Sequence, residues 1–242
     1  MALLNTIFIY AAATERFASA SHLSHSMVLL FSILMGIVGG RVIPFFTARA
    51  LGLEQNKTPL LDKWLLSLSA FGTVWFITDF FVQLPLKAGW LILLVGSLHL
   101  LRLSFWTPWK IWAAPLLWSL QLAYLALALG LILLGISDLT QLLVFKDVLH
   151  LLSISAMAGM ILAMMARVSL GHTGRVLQVG KMITLAFALL LLAGPVRILA
   201  SLAGFPLLLW QVSAVLWLCA FAIFLWFYWP VLIQPRADGR PG

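Results

Sequence analysis

The residues best suited to chemistry are a histidine and two methionines inside one long apolar stretch, residues 148–166. His150 is the single histidine of that stretch, and Met157 and Met164 follow it at seven-residue intervals. On an α-helix this interval returns to nearly the same face. Imidazole and thioether groups are ligands for haem iron and for soft copper ions. The pattern predicts a metal-binding stripe, and a structural histidine packed beside two methionines is the alternative that stays open.

Three further histidines are candidate metal ligands. His22 and His25 are three residues apart, so they face one way if the segment is helical. Such a pair can bind copper or zinc, and the alternative is an interfacial helix with water-exposed histidines. His99 lies toward the opposite membrane face from His150. At a rise of about 1.5 Å per residue their depths differ by about 15 Å, so the two are not expected to share one haem.

Basic residues near one membrane face form a candidate anion site. Arg41 follows a pair of glycines, and the segment ARVSLGHTGR at residues 166–175 groups Arg167, His172 and Arg175. Arginine binds carboxylates and phosphates through charge-assisted hydrogen bonds. These residues predict a cradle for a haem propionate or another anion. The alternative is a helix end and a turn whose charges set the membrane topology.

Composition indicates that lipid surrounds the elements that carry these residues. The chain of 242 residues is 63% hydrophobic and 9% charged, with a mean hydropathy of +1.09, whereas a soluble domain has about 25% charged residues. We therefore predict an all-α, polytopic transmembrane helical bundle of about seven spans, with an eighth as an option at residues 1–20. The seven apolar stretches are residues 24–44, 64–86, 88–104, 112–135, 142–167, 178–203 and 207–233.

Three regions follow from this pattern. Residues 1–23 are predicted to be an N-terminal interfacial or partial helix, residues 24–233 the transmembrane domain, and residues 234–242 a disordered cytoplasmic tail. The lone Cys219 lies in an apolar stretch, so no disulfide framework exists. Nucleotide-binding and hydrolase motifs are absent from the sequence, and it assigns no catalysed reaction.

The lysines and arginines predict the orientation. Eleven of the fifteen fall on one face of the predicted bundle, which the positive-inside rule places in the cytoplasm together with the C-terminus. The net charge of +8 is then explained by topology, with the lipid bilayer rather than nucleic acid as the partner. The eleven are Arg41, Arg49, Lys57, Lys63, Arg102, Lys110, Arg167, Arg175, Lys181, Arg236 and Arg240.

Two isolated charges inside apolar stretches suggest an ion pair. Asp79 follows Lys63 by the same number of residues as Arg197 follows Lys181, and both lysines mark the cytoplasmic edge of an outward-running helix. Equal spacing places Asp79 and Arg197 at similar depth. A lone charge at the centre of a span costs about 2.5–3.5 kcal/mol, which favours pairing. Independent snorkelling to the membrane surface is the alternative.

Two segments carry a resemblance to a known family. The segment GGRVIPFFT at residues 39–47 and the segment HLLSISAMAGMILAMMARVSLGHTGR at residues 150–175 resemble the NnrS family. These are polytopic bacterial membrane proteins associated with haem and copper and with the response to nitric oxide. The resemblance runs from about Val28 to the end of the last span, and the chain looks like the C-terminal part of the family.

The resemblance implies a function and cofactors. It implies haem b and copper as cofactors, nitric oxide or a derived ligand as a partner, and the bacterial inner membrane as the location. It strengthens His150 as the first metal-binding candidate. Two other functions stay open, namely a transporter or permease-like module, since intramembrane charges also line transport pathways, and a truncated inactive family member.

Overall fold

Helices account for all regular structure in residues 2–239, the part of the chain that this computed structural model describes. No strand occurs within this range. The predicted all-α, polytopic helical bundle is therefore confirmed. The eight helices are α1 (Ala2–Ala13), α2 (Phe17–Leu51), α3 (Pro59–Val82), α4 (Ala88–Ser104), α5 (Pro115–Thr140), α6 (Phe145–His172), α7 (Lys181–Leu199) and α8 (Pro206–Ile233).

Six of these helices are long and apolar enough to cross a membrane, so the chain is a multi-pass membrane protein. Helix α4 has 17 residues, about 25 Å of helix, which is at the lower limit for a span. Helix α1 has 12 residues and is too short to span alone. It turns at Glu15, which has a φ of 58°, and packs against the first turns of α2.

Proline and left-handed residues explain several helix bounds. Pro59, Pro115 and Pro206 occupy the first turns of α3, α5 and α8, where a missing N–H costs nothing. At the other end, α3 and α5 stop at Gln83 and Gln141, which have φ values of 54° and 59°. Left-handed residues end helices because they turn the chain away from the axis.

Helix α5 is the centre of the bundle. In the most apolar 18-residue stretch of α5, 67% is buried inside the protein, compared with 17% in that of α8. Helix α5 packs against α2, α4, α6 and α7, while α8 packs mainly along α7. Large apolar side chains cover the outer surfaces, as with Trp226, which is 78% exposed. Such a surface is suited to lipid and unsuited to water.

The first half of α6 is wound as a π-helix over Leu151–Ala158. Within it, Ser155 Oγ donates to the Leu191 carbonyl oxygen at 2.8 Å and accepts from the Gly194 N–H at 3.0 Å. Pro195 of α7 lacks the N–H that would bond Leu191 four residues earlier. The Ser155 hydroxyl therefore satisfies a carbonyl group that the proline leaves free inside the membrane, where water is absent.

The predicted ion pair between Asp79 and Arg197 is wrong. Arg197 Nε lies 3.0 Å from Asp147 Oδ1 on the neighbouring helix α6, and Asp147 is 1% exposed. Asp79 instead accepts from the Leu84 N–H at 2.8 Å, at the end of its own helix. Similar depth did not bring the two charges together because α3 packs on α2 and α4, whereas α7 packs on α6.

Candidate functional site

A buried network of polar side chains joins helices α3, α4 and α5. His99 Nδ1 lies 2.6 Å from the hydroxyl oxygen of Tyr124, and Arg102 Nη1 donates to the same oxygen at 3.2 Å. Arg102 Nη2 forms an ion pair with Asp62 Oδ1 at 2.6 Å. His99 is 2% exposed, so its imidazole is enclosed by protein. The four side chains form a continuous series of polar contacts from the Asp62 carboxylate to the His99 imidazole.

Three glycines of α2 make room for this network. A Cβ atom at Gly39 would lie 2.8 Å from the Tyr124 ring, and one at Gly40 would overlap the Arg102 guanidinium. The Gly36 carbonyl oxygen accepts from Arg102 Nη1 at 2.8 Å. The glycines do not end the helix, which continues to Leu51. Their small size is what lets α2 approach the polar side chains of α4 and α5.

The hydrogen bonds fix which nitrogen of His99 carries the proton. Arg102 has donors only, so the Tyr124 oxygen must accept from it. The single hydroxyl hydrogen of Tyr124 then goes to His99 Nδ1, the acceptor within reach. This arrangement uses the Tyr124 hydrogen, and it therefore favours the tautomer of neutral His99 with the proton on Nε2. Among the residues that the structure describes, none forms a hydrogen bond with that nitrogen.

A cavity of about 190 Å³ lies beside this network, between α2, α3 and α4. His99, Arg102 and Asp62 contribute to its wall, together with Arg41 and Ser69. Arg41 is exposed and sits one turn beyond the helix position that faces His99. The structure thus brings two of the predicted site residues, Arg41 and His99, to one cavity.

A second cavity, of about 600 Å³, contains His22 and His25 in its wall. His22 is buried, so the expectation of a water-exposed histidine is wrong for this residue. Its ring stacks on Phe76 and Phe80, with centroids 4.5 and 4.4 Å away, and its Nε2 lies 3.1 Å from the Phe76 carbonyl oxygen. Tight packing of α2 against α3 produces this burial.

His25, in the wall of the same cavity, makes longer contacts than His22. Its Nε2 is 3.5 Å from the Ser21 hydroxyl, and its ring lies 5.2 Å from that of Phe145. Asp138 also contributes to the cavity wall, with its Oδ2 accepting from the Gly89 N–H at 2.9 Å. The histidines and carboxylates share one wall, but they are engaged by separate partners.

His150 stands apart from both cavities. It is partly exposed, and its Nδ1 lies 2.6 Å from the Lys146 carbonyl oxygen. Because the π-helical turn begins directly after it, the seven-residue interval to Met157 and Met164 no longer returns to one face. Both methionines pack partly buried against the core. The metal-binding roles of these three residues stay predictions.

The segment 166–175 closes helix α6 and connects it to the end of the chain. Arg167 is buried with its guanidinium over the ring of Phe46, 3.9 Å from the centroid. Thr173 Oγ1 donates to the Ser169 carbonyl oxygen at 2.7 Å and so ends α6. His172, in the last turn, is exposed.

Arg175 binds the C-terminal end of α8. It donates to the Val231 carbonyl oxygen at 3.2 Å and to Gln234 Oε1 at 3.3 Å. The Ala237 N–H donates to the Thr173 carbonyl oxygen at 3.0 Å. Part of the segment predicted to be a disordered tail therefore makes contacts, while residues 240–242 lie outside the described range. These bonds support the interpretation of the segment as a structural turn.

Comparison with known proteins now decides the family. A family model described as NnrS protein matches residues 1–236 of the 242. The chain belongs to the NnrS family. The match begins at residue 1, which corrects the sequence-based estimate that the resemblance starts near Val28. No curated protein and no solved structure matches the chain.

Within residues 2–239 of this NnrS protein, no group of three or more His, Cys, Asp or Glu side chains is placed to hold a metal ion. Haem needs only one or two axial ligands, so this finding does not bear on single histidines such as His150. With its proton on Nε2, His99 would have to lose that proton, or give up the bond of Nδ1 to Tyr124, before it could bind a metal. The cavity beside it is also below the usual size of a cofactor pocket, about 300–1,000 Å³.

Sequence reasoning found His99 but missed the residues that hold it. Arg102 was interpreted as a topology-setting charge, although it follows His99 by three residues and so shares its helix face. That spacing inside an apolar stretch was a usable signal. Tyr124 carried no signal, because only the packing of α4 on α5 brings its hydroxyl to the histidine. Asp62 lies in the first turn of α3 and is not among the residues that the sequence analysis singles out.

Proposed function

We propose that this protein is an NnrS-type component of the bacterial inner membrane that takes part in the response to nitric oxide. The observation that carries the proposal is the family match over residues 1–236. The His99–Tyr124–Arg102–Asp62 network supports it, because buried ionisable groups in a membrane are costly and are retained at functional sites. The C-terminus and the 166–175 segment face the cytoplasm in this proposal, on the basis of the positive charges.

Haem b and copper are the cofactors proposed on the family resemblance. His150 is the preferred ligand candidate, since His99 Nδ1 is engaged with the Tyr124 hydroxyl and His22 is enclosed by phenylalanine rings. Haem would supply redox chemistry and the binding of diatomic ligands. The protein's own residues would orient the bound groups, with Arg41 and Arg167 suited to carboxylates.

Two measurements test this proposal. The first is growth after a nitric oxide donor is added to a bacterium that lacks its own NnrS protein. We expect the wild-type chain to shorten the growth delay relative to an empty vector, His99→Phe to lose this effect, and Tyr228→Phe to keep it. Equal growth with the vector and the wild type, although the wild-type protein is detected in the membrane, contradicts the role. The variants are compared with the wild type at equal abundance in the membrane.

The second measurement is the cofactor content of detergent-purified protein. We expect a Soret band and bound copper, with His150→Ala reducing both more than His99→Ala. Purified protein without either cofactor, despite haem and copper supply during expression, contradicts the cofactor proposal. In that case the transporter alternative gains support, since a polar cavity between spans with buried charges also suits a transport pathway.

A further inference from the structure

Three polar groups without partners converge on the 190 Å³ cavity. The first is the Nε2–H of His99, which the hydrogen-bond network turns into a donor. The second is the guanidinium of Arg41, which forms no ion pair or hydrogen bond with any residue in the range 2–239. The third is the hydroxyl of Ser69, also without a hydrogen bond to a described residue. All three can donate a hydrogen bond to one guest.

The charge around the cavity selects the kind of guest. Arg41 and Arg102 contribute two positive charges and Asp62 one negative charge, which leaves a formal charge of +1. Asp62 is already engaged, because its Oδ1 accepts from the Thr58 hydroxyl at 3.0 Å and pairs with Arg102. Since Asp62 neutralises Arg102, the positive charge of Arg41 is the one that no carboxylate of the cavity wall balances. One negative charge would neutralise the cavity, and a cation would be repelled.

The cavity has a polar route to the membrane surface. Arg41 and Asp62 also line a neighbouring cavity of about 300 Å³, whose other walls include residues 55–58 of the loop between α2 and α3 and Pro59, the first residue of α3. The two residues are thus common to the inner cavity and to the cavity at the loop. The loop side is therefore where a water-soluble ion would enter, past Arg41.

From this geometry we propose that the cavity is a binding site for a small monovalent anion. Arg41 supplies the charge, and His99 Nε2–H and the Ser69 hydroxyl supply hydrogen bonds. Arg102, held by Asp62, is a positioning residue that keeps Tyr124 accepting and His99 donating. The volume of about 190 Å³ fits a halide or a small oxyanion. The proposal does not depend on the role in nitric oxide response or on a bound metal.

Bromide is the probe for the test. Purified protein in nanodiscs of a zwitterionic lipid is unfolded by heat in sodium bromide or sodium gluconate of equal ionic strength, and helix content is followed by circular dichroism. A guest that binds only the folded state raises the unfolding midpoint with its concentration until saturation. We expect saturable stabilisation by bromide, no such effect of the bulky gluconate, and weaker stabilisation by sulfate at equal ionic strength.

Variants identify the site. We expect Arg41→Gln to weaken bromide binding by roughly tenfold or more, as for loss of a charge-assisted hydrogen bond, and Ser69→Ala by a few-fold. Arg41 is exposed and forms no hydrogen bond or ion pair with a residue in the range 2–239, so we expect the variant to keep its fold, which its circular dichroism spectrum checks. Arg49→Gln is the matched control, since it removes the same charge from an exposed position on the same helix.

Three outcomes overturn the proposal. One is the absence of saturable stabilisation by bromide in the wild type. Another is equal bromide binding by Arg41→Gln and Arg49→Gln. The third outcome is stabilisation of the protein by anionic phosphatidylglycerol that persists in bromide and is lost in Arg41→Gln. It would identify a lipid phosphate as the occupant. A protein that lacks haem and fails in the growth test can still bind bromide, so the two proposals fail separately.

Discussion

Removing the Tyr124 hydroxyl should destabilise the bundle by about 2.5–4 kcal/mol. Tyr124→Phe keeps the ring, which is fully buried, so no cavity forms. It leaves His99 Nδ1 without its 2.6 Å donor and takes one acceptor from Arg102. A hydrogen bond to a charged group contributes about 1.5–3 kcal/mol, and an unsatisfied buried acceptor costs about 1–3 kcal/mol. Arg102 keeps its bond to the Gly36 carbonyl group, which limits the loss to the lower part of the summed range.

Tyr228 offers a matched control on α8. Its ring is buried and stacks on Phe224 at 4.5 Å, but its hydroxyl has no hydrogen-bond partner among residues 2–239. Tyr228→Phe therefore removes an unsatisfied polar group, and we expect no loss or a slight gain in stability. Both variants make the same chemical change at a buried tyrosine, so their difference isolates the hydrogen bonds of Tyr124.

The assay is reversible unfolding in mixed detergent micelles with a rising mole fraction of dodecyl sulfate, followed by circular dichroism. The reasoning predicts a lower unfolding midpoint for Tyr124→Phe than for Tyr228→Phe. Equal midpoints would refute it, since the network would then add nothing to stability. A second readout is the His99 ring, whose nitrogen chemical shifts report the loss of the Nδ1 hydrogen bond.

Two other predictions concern charge and topology. Asp147→Ala and Arg197→Ala should each lower the free energy of unfolding by about 3–5 kcal/mol, because each single change leaves a buried charge without its partner. The double variant should lose less than the sum of the two. Asp79→Ala is the control, and additive losses in the same micelle assay would contradict the pairing. In a Cys219→Ala background, a cysteine at Thr173 should be shielded from an impermeant thiol reagent applied to intact cells, and labelling from outside would reverse the orientation.

The fold was largely predictable because lipid imposes a simple rule. A span needs enough apolar residues in sequence, and the predicted stretch 88–104 coincides with helix α4. Prolines and left-handed residues then set several helix ends. Tertiary pairing follows no such rule, since depth along a helix says nothing about which neighbour it packs against. Arg197 therefore paired with Asp147 on the adjacent helix, and not with Asp79 at matching depth.

The site was predictable in part for the same reason. A histidine inside a span is visible in the sequence, so His99 was a candidate. Its tautomer depends on Tyr124 and Arg102, whose contacts with it arise only from the packed bundle. The π-helical turn was invisible because apolar residues surround it on all sides. The carbonyl group of Leu191 that Ser155 of this turn contacts lies on another helix, so the sequence of α6 gives no sign of it.

The π-helical turn at Leu151–Ala158 also changes what a deletion would do to this protein. Loss of one residue from an ordinary α-helix rotates everything beyond it by about 100° about the axis. A π-helix turns by a smaller angle per residue, so the loss of one residue there can be taken up by a return toward α-helical winding. The flanks would then rotate less relative to each other than after a loss elsewhere in α6. The contacts of Asp147 with Arg197 on one flank, and of Arg167 with Phe46 on the other, are therefore least sensitive to a change of chain length within this segment.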